Sequence, residues 1–300
     1  MHLETLKTFC DLCESGSLSR AARLNRVTQS AVSQQLRALE ERFGQRLVER
    51  APRVAATPTE AGRLLYQESK LLLDRFSALE ARLRERPDVV TGTVRVATVY
   101  SVGLHTLPAT IKAFLAAFPR VNVRLEYRRT DQVYEACLAG EIDLGIVALP
   151  RARPQLEVLA LRGDELVLAL APDDPLARGR RPSLAALQGR AFIAFDRDIP
   201  TRRLIDTTLR RSGVTVRPVM ELDNIETIKR SVEAGLGLSL LPRPALANEV
   251  RAGTLVARVP REGAIPRSIG VIRRRGRELG PASRSFLDLL AAKLGLSAAG

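Results

Sequence analysis

In the N-terminal part of the chain, apolar residues recur at helical spacing. Leu6, Phe9, Cys10 and Cys13 lie at i, i+3, i+4 and i+7 and predict one buried stripe on an opening helix, Leu3 to Glu14, which Gly16 ends. Ser17 opens a second helix, with Ala21, Ala22 and Leu24 as its small inner face. Asn25, Arg26 and Val27 make the break, and Thr28 stands where an N-cap belongs. The next helix carries Val32, Leu36, Leu39 and Phe43 as an inward row. Leu47 to Thr57, with Pro52 at a turn and Val54 and Thr57 suited to a strand, reads as a two-stranded wing. Thr59 then caps a long helix running to about Arg86, where Pro87 to Gly92 predicts a hinge. On that helix Leu65, Leu72, Leu79 and Leu83 recur at close to heptad spacing, with Phe76 between them. Such a seam needs a partner helix and implies a dimer.

Beyond the hinge the pattern changes to strands alternating with helices. Strands are expected at 93–98, 122–128, 143–149, 165–171, 190–195, 236–242, 254–259 and 268–274, with 214–222 extended. Helices are expected at 107–118, 132–139, 183–188, 201–212, 225–234 and 242–250, with 286–294 in a closing helix. The fold class is therefore α/β: a helix-turn-helix with a wing and linker helix, then two lobes, each with a mostly parallel sheet. The divisions are 1–58, 59–90 and 91–300. One lobe takes 91–163 and 267–300, the other 164–266, with crossings near 162–165 and 265–268.

Composition narrows the class. The 45% hydrophobic and 27% charged content of these 300 residues is that of a soluble globular chain, and the net charge of +14 points to polyanions. Residues 1–90 hold 15 Lys and Arg against 12 Asp and Glu, so most of the excess lies further on. MHLETLKTF lacks the basic-then-apolar pattern of an export signal, no apolar run is long enough to span a bilayer, and the three cysteines are odd in number. A reducing cytoplasm is the expected location.

The recognition chemistry lies on the helix after Thr28. Gln29, Ser30, Ser33, Gln34 and Arg37 share the face opposite the apolar row, with no acid among them until Glu40 and Glu41. Hydroxyls, amides and Arg read base edges in the major groove; an ordinary solvated face usually mixes Glu with Lys. Arg46, Arg50 and Arg53 make the wing basic, suited to phosphate or the minor groove, or simply to solvent.

A ligand cleft is expected where strands end and helices begin. Those positions are Thr98, Tyr100, Ser101 and Val102 after the first strand, and Thr130 after the second. In the other lobe they are Pro200, Thr201 and, after Asn224, Thr227. Hydroxyls and helix N-termini there suit a small anion, although Ser101, Thr130 and Thr201 would serve equally as helix caps. Arg128 and Arg129 could neutralise the anion or coat the surface, and His105, near the mouth, reads as a surface residue. Cys10 and Cys13 form one C-x-x-C with no second pair, so core packing is preferred to a metal or redox site. His2 and His105 are the only histidines, Gly235-Leu236-Gly237 lacks a dinucleotide fingerprint, and Asp196, Asp198 and Asp206 are scattered. No enzyme chemistry, cofactor or metal is expected.

The stretch SGSLSRAARLNRVTQSAVSQQLRALEERFGQRL, then Arg50 and TPTEAG at 57–62, resembles the LysR-type transcriptional regulators. Gly16, Ser17, Ala21, Ala22, Gln29, Ser30, Ala31, Val32, Ser33, Leu39, Glu40 and Gly44 match in register. Val48 stands where the family usually has Phe, and Ala56 where it usually has Leu. The resemblance extends, less specifically, to FPRVNVRLEYRRTDQVYEACLAGEIDLGIV at 118–147. It implies a winged helix, a dimerising linker helix, and an effector domain like a type 2 periplasmic binding protein. The implied partners are double-stranded promoter DNA, a small effector held between the lobes, and further copies of the chain as dimer or tetramer. The resemblance points to Ser101, Thr130 and Thr201 in particular. The alternative is a solute-binding module without a DNA role, which the effector half alone would permit.

Overall fold

The structure, a computed structural model, describes residues 2–49, 56–84, 90–178 and 181–295, apart from the side chains of 74, 77, 78 and 81–84. It divides into two compact units. The first is Met1–Val89 with Ala139–Glu141 and Gly276–Pro281; the second is Val90–Leu138, Ile142–Arg275 and Ala282–Gly300.

The first unit opens with α1 (Leu3–Ser15), α2 (Leu18–Asn25) and α3 (Gln29–Phe43). A hairpin of β1 (Val48–Glu49) and β2 (Thr57–Pro58) follows, then α4 (Glu60–Arg84). Leu6, Phe9 and Leu12 of α1, Ala21 and Ala22 of α2, and Val32, Leu36 and Leu39 of α3 close one core, with Leu47 and Val48 beneath. Two residues expected to face inward are exposed instead. Leu24 is 57% exposed, because it lies about 200° around the helix from Ala22. Phe43 is 43% exposed; it is the last residue of α3, and Leu39 is the last of its row in the core. Val54 lies outside the described residues.

α4 starts where the wing meets it. Thr59 accepts from the Gly62 amide at 3.0 Å, and its own hydroxyl donates to the Arg46 carbonyl at 2.7 Å. A Cβ on Gly62 would stand 1.9 Å from the Leu47 carbonyl oxygen, so only glycine lets the helix pass this close to the wing.

The second unit runs β3 (Gly92–Thr98), α5 (Tyr100–Gly103), α6 (Pro108–Ala117), β4 (Val121–Tyr127), α7 (Thr130–Leu138), β5 (Leu144–Ala148) and β6 (Leu156–Leu170). It continues with β7 (Ala191–Phe195), α8 (Pro200–Arg211), β8 (Arg217–Leu222), α9 (Ile225–Glu233) and β9 (Ser239–Pro242). The last elements are α10 (Ala247–Ala252), β10 (Val256–Arg258), β11 (Ile265–Arg274) and α11 (Pro281–Leu294). A seven-stranded sheet has the order β10-β6-β11-β5-β3-β4, with β9 also on β6. β4, β3 and β5 are parallel, and the remaining pairs are antiparallel. The expectation of a mostly parallel sheet is thus corrected for this sheet. The cause is that β6 and β11 pair antiparallel over most of their length and carry both lobes. β7 and β8 form a separate parallel pair.

The core follows the same division. Ala97, Val133, Ala136, Cys137, Ile142 and Val147 pack one lobe. Leu166 to Leu170, Phe192 to Phe195, Ile205, Ile225 and Ile228 pack the other. Where β6 and β11 cross between lobes, the register shifts between Arg267 and Ile269. A Cβ on Gly163 would lie 2.3 Å from the Arg267 carbonyl oxygen, so this glycine permits the close crossing.

Candidate functional site

In the first unit the face expected to recognise DNA lies on α3, whose other side carries the core row Val32, Leu36 and Leu39. Thr28 caps the helix, its hydroxyl accepting from the Ala31 amide at 3.2 Å. Gln29, Ser30, Gln34 and Arg37 are exposed, and Ser33 is half-buried. Ser19 of α2 donates to the Gln29 side-chain Oε1 at 3.0 Å, which occupies that oxygen and leaves the Gln29 NH2 as a donor. Asn25 donates to Asp11 at 2.7 Å and to the Ala21 carbonyl at 3.0 Å, and Arg26 takes a left-handed φ of 55°; together they fix the turn. Glu40, the first acid of α3, is turned to the wing, where it accepts from the Leu47 amide at 2.9 Å. Arg50 and Arg53 lie outside the described residues.

On α4, Leu65 is partly buried against the helix-turn-helix core. Leu72, Phe76 and Leu79 are 48%, 43% and 48% exposed, a stripe at i, i+4 and i+7. The Leu83 side chain lies outside the described residues. Burial pushes the thiols of Cys10 and Cys13 up to about 12, so both stand as neutral thiols near pH 7. Among the described residues no cluster of His, Cys, Asp and Glu could hold a metal ion.

In the second unit a cavity of about 290 Å³ opens between the lobes. Tyr100, Ser101, Thr130, Pro200 and Thr201 all line it, so five of the eight expected ligand positions come together. Thr98, Val102 and Thr227 are not among its lining residues. Thr98 is fully buried, its hydroxyl donating to the Ile146 carbonyl at 2.9 Å. Val102 is buried on the inner side of α5. Thr227 points its hydroxyl to the Asn224 carbonyl at 2.6 Å, while the Asn224 side chain caps α9 through the Glu226 amide.

Lining positions that the sequence did not single out add charge and strain. Arg151, Arg153 and Arg203 line the cavity, exposed, and no ion pair involves them among the described residues. Arg153 lies 4.5 Å over the Tyr134 ring, a cation–π contact. Leu149 lines it with a φ of 53°, a left-handed conformation costing a non-glycine residue about 1–2 kcal/mol.

Charged contacts cross the mouth from lobe to lobe. Arg129 binds Asp198 at 2.7 Å, Asp196 at 3.0 Å and Asp223 at 3.2 Å. Arg128 pairs instead with Glu126 at 2.7 Å. His105, expected on the surface, is half-buried with its Nε2 2.8 Å from Glu226. Burial lowers the His105 pKa, and the nearby Lys229 ammonium lowers it further, against the raising effect of Glu226.

Under the cavity floor lies a group no sequence pattern flags. Arg267, fully buried on β11, binds Asp164 of β6 through Nε at 2.7 Å and Nη2 at 2.5 Å. Its Nη1 donates to Ser101 Oγ at 3.0 Å and, more weakly, to Thr201 Oγ1 at 3.4 Å.

Known proteins share both units. A family model described as a bacterial regulatory helix-turn-helix protein of the lysR family matches residues 3–63, and one for the LysR substrate binding domain matches 87–295. The chain is 32% identical over 291 residues to the HTH-type transcriptional regulator YeiE of Escherichia coli, covering 95% of this chain and 96% of that protein. Full-length OxyR from Pseudomonas aeruginosa superposes with a TM-score of 0.81 at 20% identity, covering 98% of this chain and 94% of OxyR. The regulatory domain of Synechocystis CcmR, solved in complex with 2-PG, superposes with a TM-score of 0.63 at 27% identity. That match covers 68% of this chain and 98% of the CcmR domain. The chain belongs to the LysR family of transcriptional regulators, with a helix-turn-helix DNA-binding domain and a small-molecule effector domain.

Proposed function

We propose that residues 1–58 read promoter DNA through Gln29, Ser30, Ser33, Gln34 and Arg37, with Thr28, Arg50 and Arg53 on the backbone. Residues 59–90 pair two copies through Leu72, Phe76, Leu79 and Leu83. Residues 91–300 bind a small anion between the lobes and pass its presence to the DNA. The paired copies place two recognition helices on a two-fold site, and the protein works in the cytoplasm. No described helix is long and apolar enough to cross a membrane.

The observation that carries the anionic reading is the set of cavity arginines, Arg151, Arg153 and Arg203, that join no ion pair among the described residues. Guanidinium forks beside hydroxyl groups recognise carboxylate, sulfate or phosphate oxygens. The 2-PG held by the CcmR regulatory domain supports a small ligand in a domain of this fold. A gel-shift titration on DNA upstream of the protein's own gene, at several salt concentrations and with a panel of small anions, tests the reading. Affinity that falls steeply with salt is expected, because phosphate contacts release counterions. No DNA affinity at any salt would leave only a solute-binding module.

A further inference from the structure

We infer that Arg267 is a specificity-determining positioning residue: it fixes the Ser101 and Thr201 hydroxyls with their protons toward the cavity, so the floor offers two oriented donors to an acceptor oxygen of the ligand. This rests on the reading that the cavity takes the effector.

A guanidinium has only donors. Ser101 Oγ and Thr201 Oγ1 therefore act as acceptors toward Arg267 Nη1, at 3.0 Å and 3.4 Å, and their own protons point away from it. Among the described residues neither hydroxyl finds a protein acceptor, and both line the cavity. Thr201 is only 3% exposed, so its proton is short of water as well. A buried donor left without an acceptor is costly, and a ligand oxygen between the two hydroxyls removes that cost.

The Asp164 carboxylate, which would accept from a ligand N–H, is taken by the Arg267 fork. An amide NH2 or an ammonium placed on this floor meets the two hydroxyl protons and finds only the one remaining lone pair on each oxygen, so an acceptor oxygen fits better. Charge is not the discriminator here, because Arg267 and Asp164 neutralise each other; direction is. The two hydroxyls also come from different lobes, Ser101 from α5 and Thr201 from α8, so one buried guanidinium orients the donors of both.

The test is a double-mutant cycle on the full-length protein with sulfate as the probe, since its charge does not titrate near neutral pH. Sulfate affinity is measured by calorimetry against sodium chloride at matched ionic strength. In the native background Ser101→Ala is expected to cost about tenfold, the scale of one hydrogen bond to a charged group. With Arg267→Met and Asp164→Leu together, an apolar swap that leaves no buried lone charge, the cost of Ser101→Ala is expected to shrink to about twofold. Where circular dichroism shows that swap to be misfolded, Arg267→Lys replaces it in the cycle. Lysine keeps the charge beside Asp164 but has no fork for Asp164 and both hydroxyls. Weak sulfate binding that Arg267→Lys fails to rescue supports positioning; full rescue by Lys overturns it. An equal cost of Ser101→Ala in both backgrounds overturns the role of Arg267 and leaves the anion cavity standing. Sulfate binding that is absent, or indifferent to Ser101→Ala in the native background, overturns the cavity reading and this inference with it.

Discussion

Arg129 Nη1 stands 2.7 Å from Asp198 Oδ2, and the two residues belong to opposite lobes of the effector domain. The same guanidinium reaches Asp196 and Asp223, so one arginine after β4 gathers three carboxylates from the loops after β7 and β8. It forms a strap over the cavity mouth. Arg129→Gln is expected to weaken sulfate binding about threefold at low ionic strength, the scale of exposed ion pairs. The difference should fade at high salt, where exposed charges are screened. Calorimetry at two ionic strengths reads this directly.

A second lobe-to-lobe contact gives a pH dependence. The folded-state pKa of His105 is lowered from 6.5 by burial and by Lys229. The unfolded chain therefore holds the His105 proton more tightly than the folded one. Folding stability from this site is complete above 6.5 and declines as pH falls through the lowered folded value. Melting curves at about pH 7.5 and about pH 5.5 should show a loss on acidification. The loss should be smaller in His105→Gln, which keeps a donor for Glu226 but has no titrating ring. An equal loss in both proteins removes His105 as the source.

On the DNA side, Arg37→Ala and Gln29→Ala are each expected to cost about 1–3 kcal/mol of specific binding and to relax base choice at one position per half-site. Both residues are exposed, so melting temperature should stay near that of the native chain. Competition gel shifts with a randomised operator library measure the relaxation. Retained discrimination in both variants would move the recognition face elsewhere.

The stripe of Leu72, Phe76 and Leu79 makes a prediction about assembly. Phe76→Glu places a charge in the middle of an apolar seam that is 43% to 48% exposed in the single chain. The helix-turn-helix core does not include Phe76, so the unit should still fold. Sedimentation velocity is expected to show a shift toward monomer, with loss of two-fold footprints. An unchanged sedimentation coefficient would mean that this seam does not pair copies.

Much of this was legible in the sequence, for local reasons. α3 could be read because Val32, Leu36 and Leu39 fall at core spacing and Thr28 supplies a cap a few residues earlier. Tyr100, Ser101, Thr130, Pro200 and Thr201 could be placed because strand ends and helix starts are local events. Their neighbours Thr98 and Val102 failed because, at a strand end, a single residue step decides whether a side chain faces the cavity or the core. Phe43 failed because spacing gives a face but not where the core beneath it ends, and Leu24 failed because it lies well around α2 from Ala22. The first half of β6, Leu156 to Gly163, mixes exposed and buried positions and carries no clear alternation. Arg267 was out of reach for a deeper reason: its partners Asp164, Ser101 and Thr201 are 103, 166 and 66 residues away. The antiparallel pairing of β6 and β11 brings Asp164 beside it, α5 and α8 bring Ser101 and Thr201, and no periodicity encodes such a meeting.

The most direct test of the whole account is a DNase footprint of the full-length protein on DNA upstream of its own gene, with and without a small anion, using the native chain and Ser101→Ala in parallel. A protected two-fold site whose extent changes with the anion is expected in the native protein. In Ser101→Ala the site should stay protected and the change should be lost. A footprint that responds to the anion equally in both proteins would contradict it, because DNA would then be sensing an anion bound somewhere other than this cavity.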